Sequence, residues 1–229
     1  MTETTQQSPL LEMSELFADL PSSVCADITS MARTRDYLCR DVMFLAGARI
    51  KETLLLTDGR AKITQAGESG TEVILRLIAA GEVIGELGLV PGFTHFSTAV
   101  ALQECKVLVW GAETFQGVLD RSPILRRNAK RILQRRLDDL ESRFFQISTQ
   151  MASPRLAQAL VRLVDQVGHK VNSHVEINVS QQTLAQMTAM TSFTVSRLLT
   201  NWENQGLLRV RRQAIEISNF LPLMGLCKG

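Results

Sequence analysis

The sequence predicts an α+β fold: an N-terminal antiparallel β-roll (jelly roll), one long helix, and a C-terminal winged helix-turn-helix. Three observations carry this. Short β-rich runs divided by glycines fill residues 33–111, a heptad stripe runs from Leu133 to Met151, and two short amphipathic helices occupy 181–205.

The helix pair is the most informative stretch. Wound at 3.6 residues per turn, residues 191–205 gather Val195, Leu198, Leu199 and Trp202 on one face. Phe193, Ser196, Arg197 and Thr200 collect on the opposite side, an outer surface almost free of carboxylates. A shorter helix over 181–188 precedes it, with Ser180 as N-cap and a turn at Ala189 and Met190. Gly206 ends the second helix, and LLRVRRQAIEISN then alternates as two short strands, a wing bearing Arg209, Arg211 and Arg212. Arginine can donate two hydrogen bonds to the O6 and N7 atoms of guanine, and Phe193 is placed to pack on a thymine methyl. The alternatives are a helical hairpin inside an ordinary core, with Arg197 merely solvated, and a solvated charge run at the wing. Side by side, a reading helix and a basic wing favour phosphate contact.

Upstream, the runs RDYL, VMFL, ETLLLTD, RAKITQA, TEVILRLI, STAVALQ and CKVLVW alternate with turns at Gly47, Gly59, Gly67, Gly70, Gly81 and Gly92. A roll of this size can enclose a small ligand. Short helices are expected around 14–20 and 22–32, after a polar tail over residues 1–12. A Ser-Pro pair at 122–123 opens a helix reaching about residue 151. Along it Leu133, Leu137, Leu140, Phe144, Ile147 and Met151 are spaced 4, 3, 4, 3, 4, a seam that fits the same helix of a second copy. The alternative is that the stripe packs on its own roll. A second Ser-Pro pair at 153–154 breaks the rod, and a further helix follows over 155–167. The expected domains are therefore a roll over 13–121, a dimerisation helix over 122–152 and a winged helix-turn-helix over 153–229.

Charge supports the division. Residues 1–120 carry 9 Lys and Arg against 16 Asp and Glu, whereas 151–229 carry 8 against 4. An acidic front and a basic back suit a sensing half joined to a polyanion-binding half. Cys25, Cys39, Cys105 and Cys227 are scattered without a CxxC pair, which favours a reducing cytoplasm over disulfides or zinc. No secretory signal pattern or long apolar run is present, so a cytoplasmic protein with no membrane partner is expected.

This order of parts, with GEVIGELGL at 81–89 and TVSRLL at 194–199, resembles the CRP/FNR family of bacterial transcription regulators. The resemblance implies a cyclic-nucleotide-binding-like roll, a homodimer and a palindromic double-stranded DNA site. By that resemblance Arg197 reads guanine in a TTG-like half-site with Ser196 beside it. Ser180 touches phosphate with Gln182 close behind, and Ser192 and Thr194 complete the contact set. Phe193 replaces a glutamate common in the family, which leaves the rest of the half-site open. RNA polymerase is a partner if the protein activates.

The same resemblance bears on the effector. Gly85, Glu86 and Leu87 of the cassette and Ser97 match the cyclic-nucleotide pocket. Phe96, however, stands where cyclic-AMP-binding members carry a phosphate-neutralising arginine, and Leu140 and Glu141 align with their adenine-contacting hydroxyls. Cyclic AMP is therefore disfavoured. An iron–sulfur cluster is disfavoured too, because Cys25 and Cys39 do not supply the family's N-terminal cysteine cluster. Haem-based sensing of nitric oxide or carbon monoxide stays open. TVSRLLTNWENQGLL resembles the nitric-oxide-responsive branch, though that likeness lies in the DNA reader. His95, the sole histidine of the roll, reads as a solvated loop residue, with haem ligation as the alternative. Activity without any effector is the remaining option. A regulatory module attached to an enzyme or channel would need a further segment, and no nucleophile–base pair, metal spacing or P-loop suggests an enzyme. His169 and His174, flanking a turn between a helix and a strand, carry no assigned role.

Overall fold

The computed structural model describes residues 14–67, 71–85, 93–171 and 174–227. It resolves into two compact units, Met1–Ala66 with Leu75–Asp138, and Gly67–Ile74 with Asp139–Gly229. The expected tail over residues 1–12 lies outside the described residues, as do Gly70 and Gly92.

In the first unit, β1 (Arg33–Tyr37), β8 (Cys105–Gly111), β3 (Glu52–Asp58) and β6 (Val83–Ile84) form one antiparallel sheet in the order β1-β8-β3-β6. A second sheet runs β2-β7-β4-β5, built from Val42–Phe44, Thr98–Ala101, Ala61–Ala66 and Glu72–Ile78. The apolar runs ETLLLTD and CKVLVW are continuous because their sheet is buried on both faces. Leu54, Leu56, Val107 and Val109 point into the roll with Ile63, Ile78 and Ile84. Leu55, Leu108 and Trp110 point outward, under Leu16, Phe17, Ile28, Phe115, Leu119 and Leu125. Trp110 is fully buried, and its Nε1 donates to the Ile28 carbonyl at 2.8 Å.

One expectation for this unit needs correction, and one helix was missed. The helix over 14–20 is a single 3-10 turn, Glu15–Phe17: Ala18 already leaves helical geometry at ψ 139°, and Asp19 follows at a left-handed φ of 63°. The helix expected over 22–32 is α1, Ser22–Ser30. A helix absent from the reading above, α2 (Ala112–Arg121), follows β8 directly and buries Phe115, Val118 and Leu119 at offsets of 0, 3 and 4. The Ser-Pro start is confirmed: α3 runs Pro123–Thr149, and the Ser122 hydroxyl accepts the Leu125 amide at 3.3 Å.

In the second unit, α4 (Ala152–Val167) begins before the second Ser-Pro pair, not after it. Proline is tolerated there because first-turn amides have no intrahelical acceptor. Its Leu156, Leu160 and Leu163 pack in a core with Ile177, Leu184, Val195, Leu199 and Trp202. A sheet in the order β11-β12-β10-β9 (Leu208–Val210, Ile215–Ile217, His174–Ile177 and His169–Val171) joins it, and a last helix, Phe220–Leu226, packs on α4 and buries Leu223. His169 and His174 thus sit within strands. The helices α5 (Gln181–Thr188) and α6 (Ser192–Asn204) meet at Ala189, whose φ of 52° is left-handed. Glycine tolerates that geometry without the Cβ penalty, so Ala189→Gly is expected to stabilise the chain by about 0.5–1 kcal/mol in chemical denaturation.

Candidate nucleic-acid interface and effector pocket

Both helices of the pair are capped from their own sequence. Ser180 Oγ accepts the Thr183 amide at 3.0 Å, and Thr191 Oγ1 accepts the Thr194 amide at 3.1 Å. Gly206, at a φ of 72°, follows the end of α6, and Trp202 and Leu199 lock that helix into the core. Val195 is buried as expected, while Leu198 is only half-buried. The opposite face is open: Ser192, Arg197 and Thr200 are exposed and Phe193 is 77% exposed. Thr194 and Ser196 are half-buried, and Gln182 is exposed on α5. Among the described residues Arg197 makes no ion pair or hydrogen bond, so its five donors face solvent. The structure therefore brings Ser192, Phe193, Thr194, Ser196 and Arg197 onto one element, with Ser180 and Gln182 at the start of the preceding helix.

The wing forms as β11 and β12, with the Arg211 amide donating to the Ala214 carbonyl at 2.8 Å across its turn. Arg209 and Arg212 are exposed. Arg211 differs from expectation: its Nε lies 2.8 Å from Glu216, so this guanidinium already has a carboxylate partner. That contact, then the charge of the guanidinium, holds the Glu216 carboxyl below the usual range. Glu203 was also overlooked; it accepts the Val210 amide at 2.9 Å and ties α6 to the wing. The arginines were conspicuous in the sequence, but these carboxylate partners are set by the register of the hairpin.

The seam residues divide. Leu133 is half-buried against the core of the first unit, so the self-packing alternative holds there. Leu137, Leu140, Phe144 and Ile147 on α3 are exposed, as is Met151 beyond its end; Phe144 reaches 75%. Phe145, outside the heptad count, is exposed beside them.

In the roll, Gly85 has a φ of 77°, and a Cβ there would lie 2.7 Å from the Phe44 ring. Gly85→Ala is expected to cost about 1–3 kcal/mol of stability, measured by denaturant midpoint. Arg136 of α3 donates to the carbonyls of Gly85 and Val83 at 2.7 and 2.6 Å. Glu86 and Leu87 lie outside the described residues. Ser97 is buried, and Phe96 is exposed to solvent. The solvated reading of His95 is overturned: its ring is 5% exposed and stacks on Phe44, centroids 3.7 Å apart. The two rings border a cleft of about 480 Å³ whose wall includes Arg35, Arg49, Lys51 and Glu52. Arg35 holds Glu52 through two hydrogen bonds of 2.8 Å.

Residues 34–122 match the cyclic nucleotide-binding domain family, and residues 154–224 match the Crp-like helix-turn-helix domain family. The chain is 25% identical to the cyclic AMP receptor protein of Thermus thermophilus, over 76% of this chain and 79% of the relative. It is 26% identical to the fumarate and nitrate reduction regulatory protein of Salmonella typhimurium, over 80% and 74%. Among solved structures it resembles FixK2 from Bradyrhizobium japonicum, with a TM-score of 0.76 at 18% identity, covering 85% of this chain and 96% of that one. A CooA mutant from Carboxydothermus hydrogenoformans gives 0.75 at 20% identity, covering 95% of each.

A nucleotide-binding-type roll, a long helix and a Crp-like helix-turn-helix together define a transcription regulator. The chain belongs to the CRP/FNR family. No helix among the described residues is long and apolar enough to cross a membrane.

Proposed function

We propose that this regulator acts as a homodimer on a near-palindromic DNA site with TTG-like half-sites, without control by cyclic AMP. The observation that carries the reading is Arg197, exposed and unpaired among the described residues on a helix whose inner face is fixed in the core. Ser196 and Phe193 flank its base contact; Ser180, Gln182, Ser192 and Thr194 serve phosphates or neighbouring bases; Arg209 adds a phosphate contact from the wing. The exposed stripe from Leu137 to Met151 supports pairing of two chains, which sets the reading helices about 34 Å apart, one turn of DNA. Phe96, in the place matched to the phosphate-neutralising arginine, supports independence from cyclic AMP, because a buried cyclic phosphate would lack its counter-charge. The domain boundaries at 121/122 and 152/153, a cytoplasmic setting, the lack of enzymatic activity and, if the protein activates, contact with RNA polymerase belong to the same proposal.

The test is selection of bound duplexes from a random pool, followed by footprinting with and without cyclic AMP. The expected result is an inverted repeat of TTG-like elements, protected equally in both conditions. A site without two-fold symmetry overturns the dimer, and protection that requires cyclic AMP overturns effector independence.

A further inference from the structure

The C-terminal sheet sets ionisable side chains in a row across its strands. Strand β10 pairs with β9 so that Glu176 faces His169, and with β12 so that Glu176 faces Glu216. His174, two residues before Glu176, lies on the same face. One ligand atom from each of His174, Glu176 and Glu216 lies within 4.8 Å of the other two. Two glutamates directly opposed on neighbouring strands repel each other. The sheet offsets this with Arg211 against Glu216 at 2.8 Å and, when protonated, His169 Nε2 against Glu176 at 3.2 Å.

We propose that His174, Glu176 and Glu216 bind a divalent first-row transition cation, with Zn²⁺ as the reference ion. One imidazole nitrogen and two carboxylate oxygens form a donor set suited to such ions. Two negative ligands balance its charge and remove the repulsion between the glutamates. Bonds of about 2.0–2.2 Å require the donor atoms to close to about 3.3 Å. The three side chains are half-buried, leaving room for rotamer adjustment and for water in the remaining coordination positions. His169, on the far side of Glu176, is placed to orient that carboxylate as an outer partner. Arg211 competes with the cation for Glu216, so filling the site releases this guanidinium toward a DNA phosphate. That last consequence rests on the DNA-binding reading; the cation site does not.

The test is titration of the untagged, reduced full chain with Co²⁺ at neutral pH, followed by absorbance and by competition with Zn²⁺. The expected result is one Co²⁺ per chain with visible d–d bands and no thiolate-to-cobalt band, which would mark a free cysteine (Cys25, Cys39 or Cys227) instead. His174→Ala and Glu216→Gln are each expected to weaken binding by about tenfold or more. Arg211→Gln is expected to strengthen it several-fold by removing the competing cation. Because Arg211 is exposed, that gain cannot be produced by a loss of folding. Unchanged affinity in His174→Ala and Glu216→Gln, a thiolate band as the sole signal, or no gain from Arg211→Gln overturns the site.

Discussion

Arg197→Ala is expected to abolish discrimination between the selected site and scrambled DNA while leaving salt-sensitive binding to any duplex. A bidentate arginine–guanine contact is worth about 1–3 kcal/mol of discrimination, so two half-sites stand to lose about 2–6 kcal/mol together. Nonspecific affinity should persist because the phosphate contacts proposed for Arg209 and the helix starts do not involve this side chain. The measurement is a pair of binding isotherms, specific and scrambled, across a salt series. Equal loss on both sequences, with a slope reduced by about one ion, would assign Arg197 to a phosphate. The fold should be untouched, because the side chain makes no ion pair or hydrogen bond among the described residues.

If the proposed dimer pairs through α3, Leu140→Glu is expected to give a monomer and, through it, to collapse affinity for the proposed palindrome. Leu140 lies midway along the exposed stripe between Leu137 and Phe144. Pairing two copies would bury two carboxylates against apolar partners, at a cost of several kcal/mol. In the single chain this side chain is already exposed, so helix content by circular dichroism should not change. Sedimentation at the concentration where the parent is dimeric decides the point. A dimer that survives would remove α3 from the interface.

The parts legible in the sequence were those determined within a few residues. The bounds of α5, its N-cap Ser180, the turn at Ala189 and the stop near Gly206 all follow from local side-chain chemistry and φ preference, whereas Thr191, read as the first residue of the second helix, is its N-cap. The long strands β3 and β8 announced themselves as apolar runs. What failed depended on distant partners. Helix α2 follows β8 from Gly111 with no side-chain cap, so its short apolar pattern stood alone. Strand β6 is two residues long and is defined by pairing with Leu54 and Leu55, nearly thirty positions earlier. His95 is buried by Phe44, and Glu176 meets Glu216 through strand register; neither neighbour is visible in a local window. The solvent-facing side of α6 was legible because its outer residues are marked by what they lack, namely apolar periodicity and acid. The state of Arg211 was not, because its partner arrives from the returning strand.

The two tryptophans of the chain fall one to each compact unit, and both are sealed from water: Trp110 at 0% and Trp202 at 2% exposure. The molecule thus carries a separate optical reporter in each core. With Trp202→Phe the remaining emission follows only the roll, and with Trp110→Phe only the reading module, each moving from blue to red as its indole meets solvent. Two coincident melting curves would mark a single cooperative unit, and two displaced curves would measure how far one half outlasts the other.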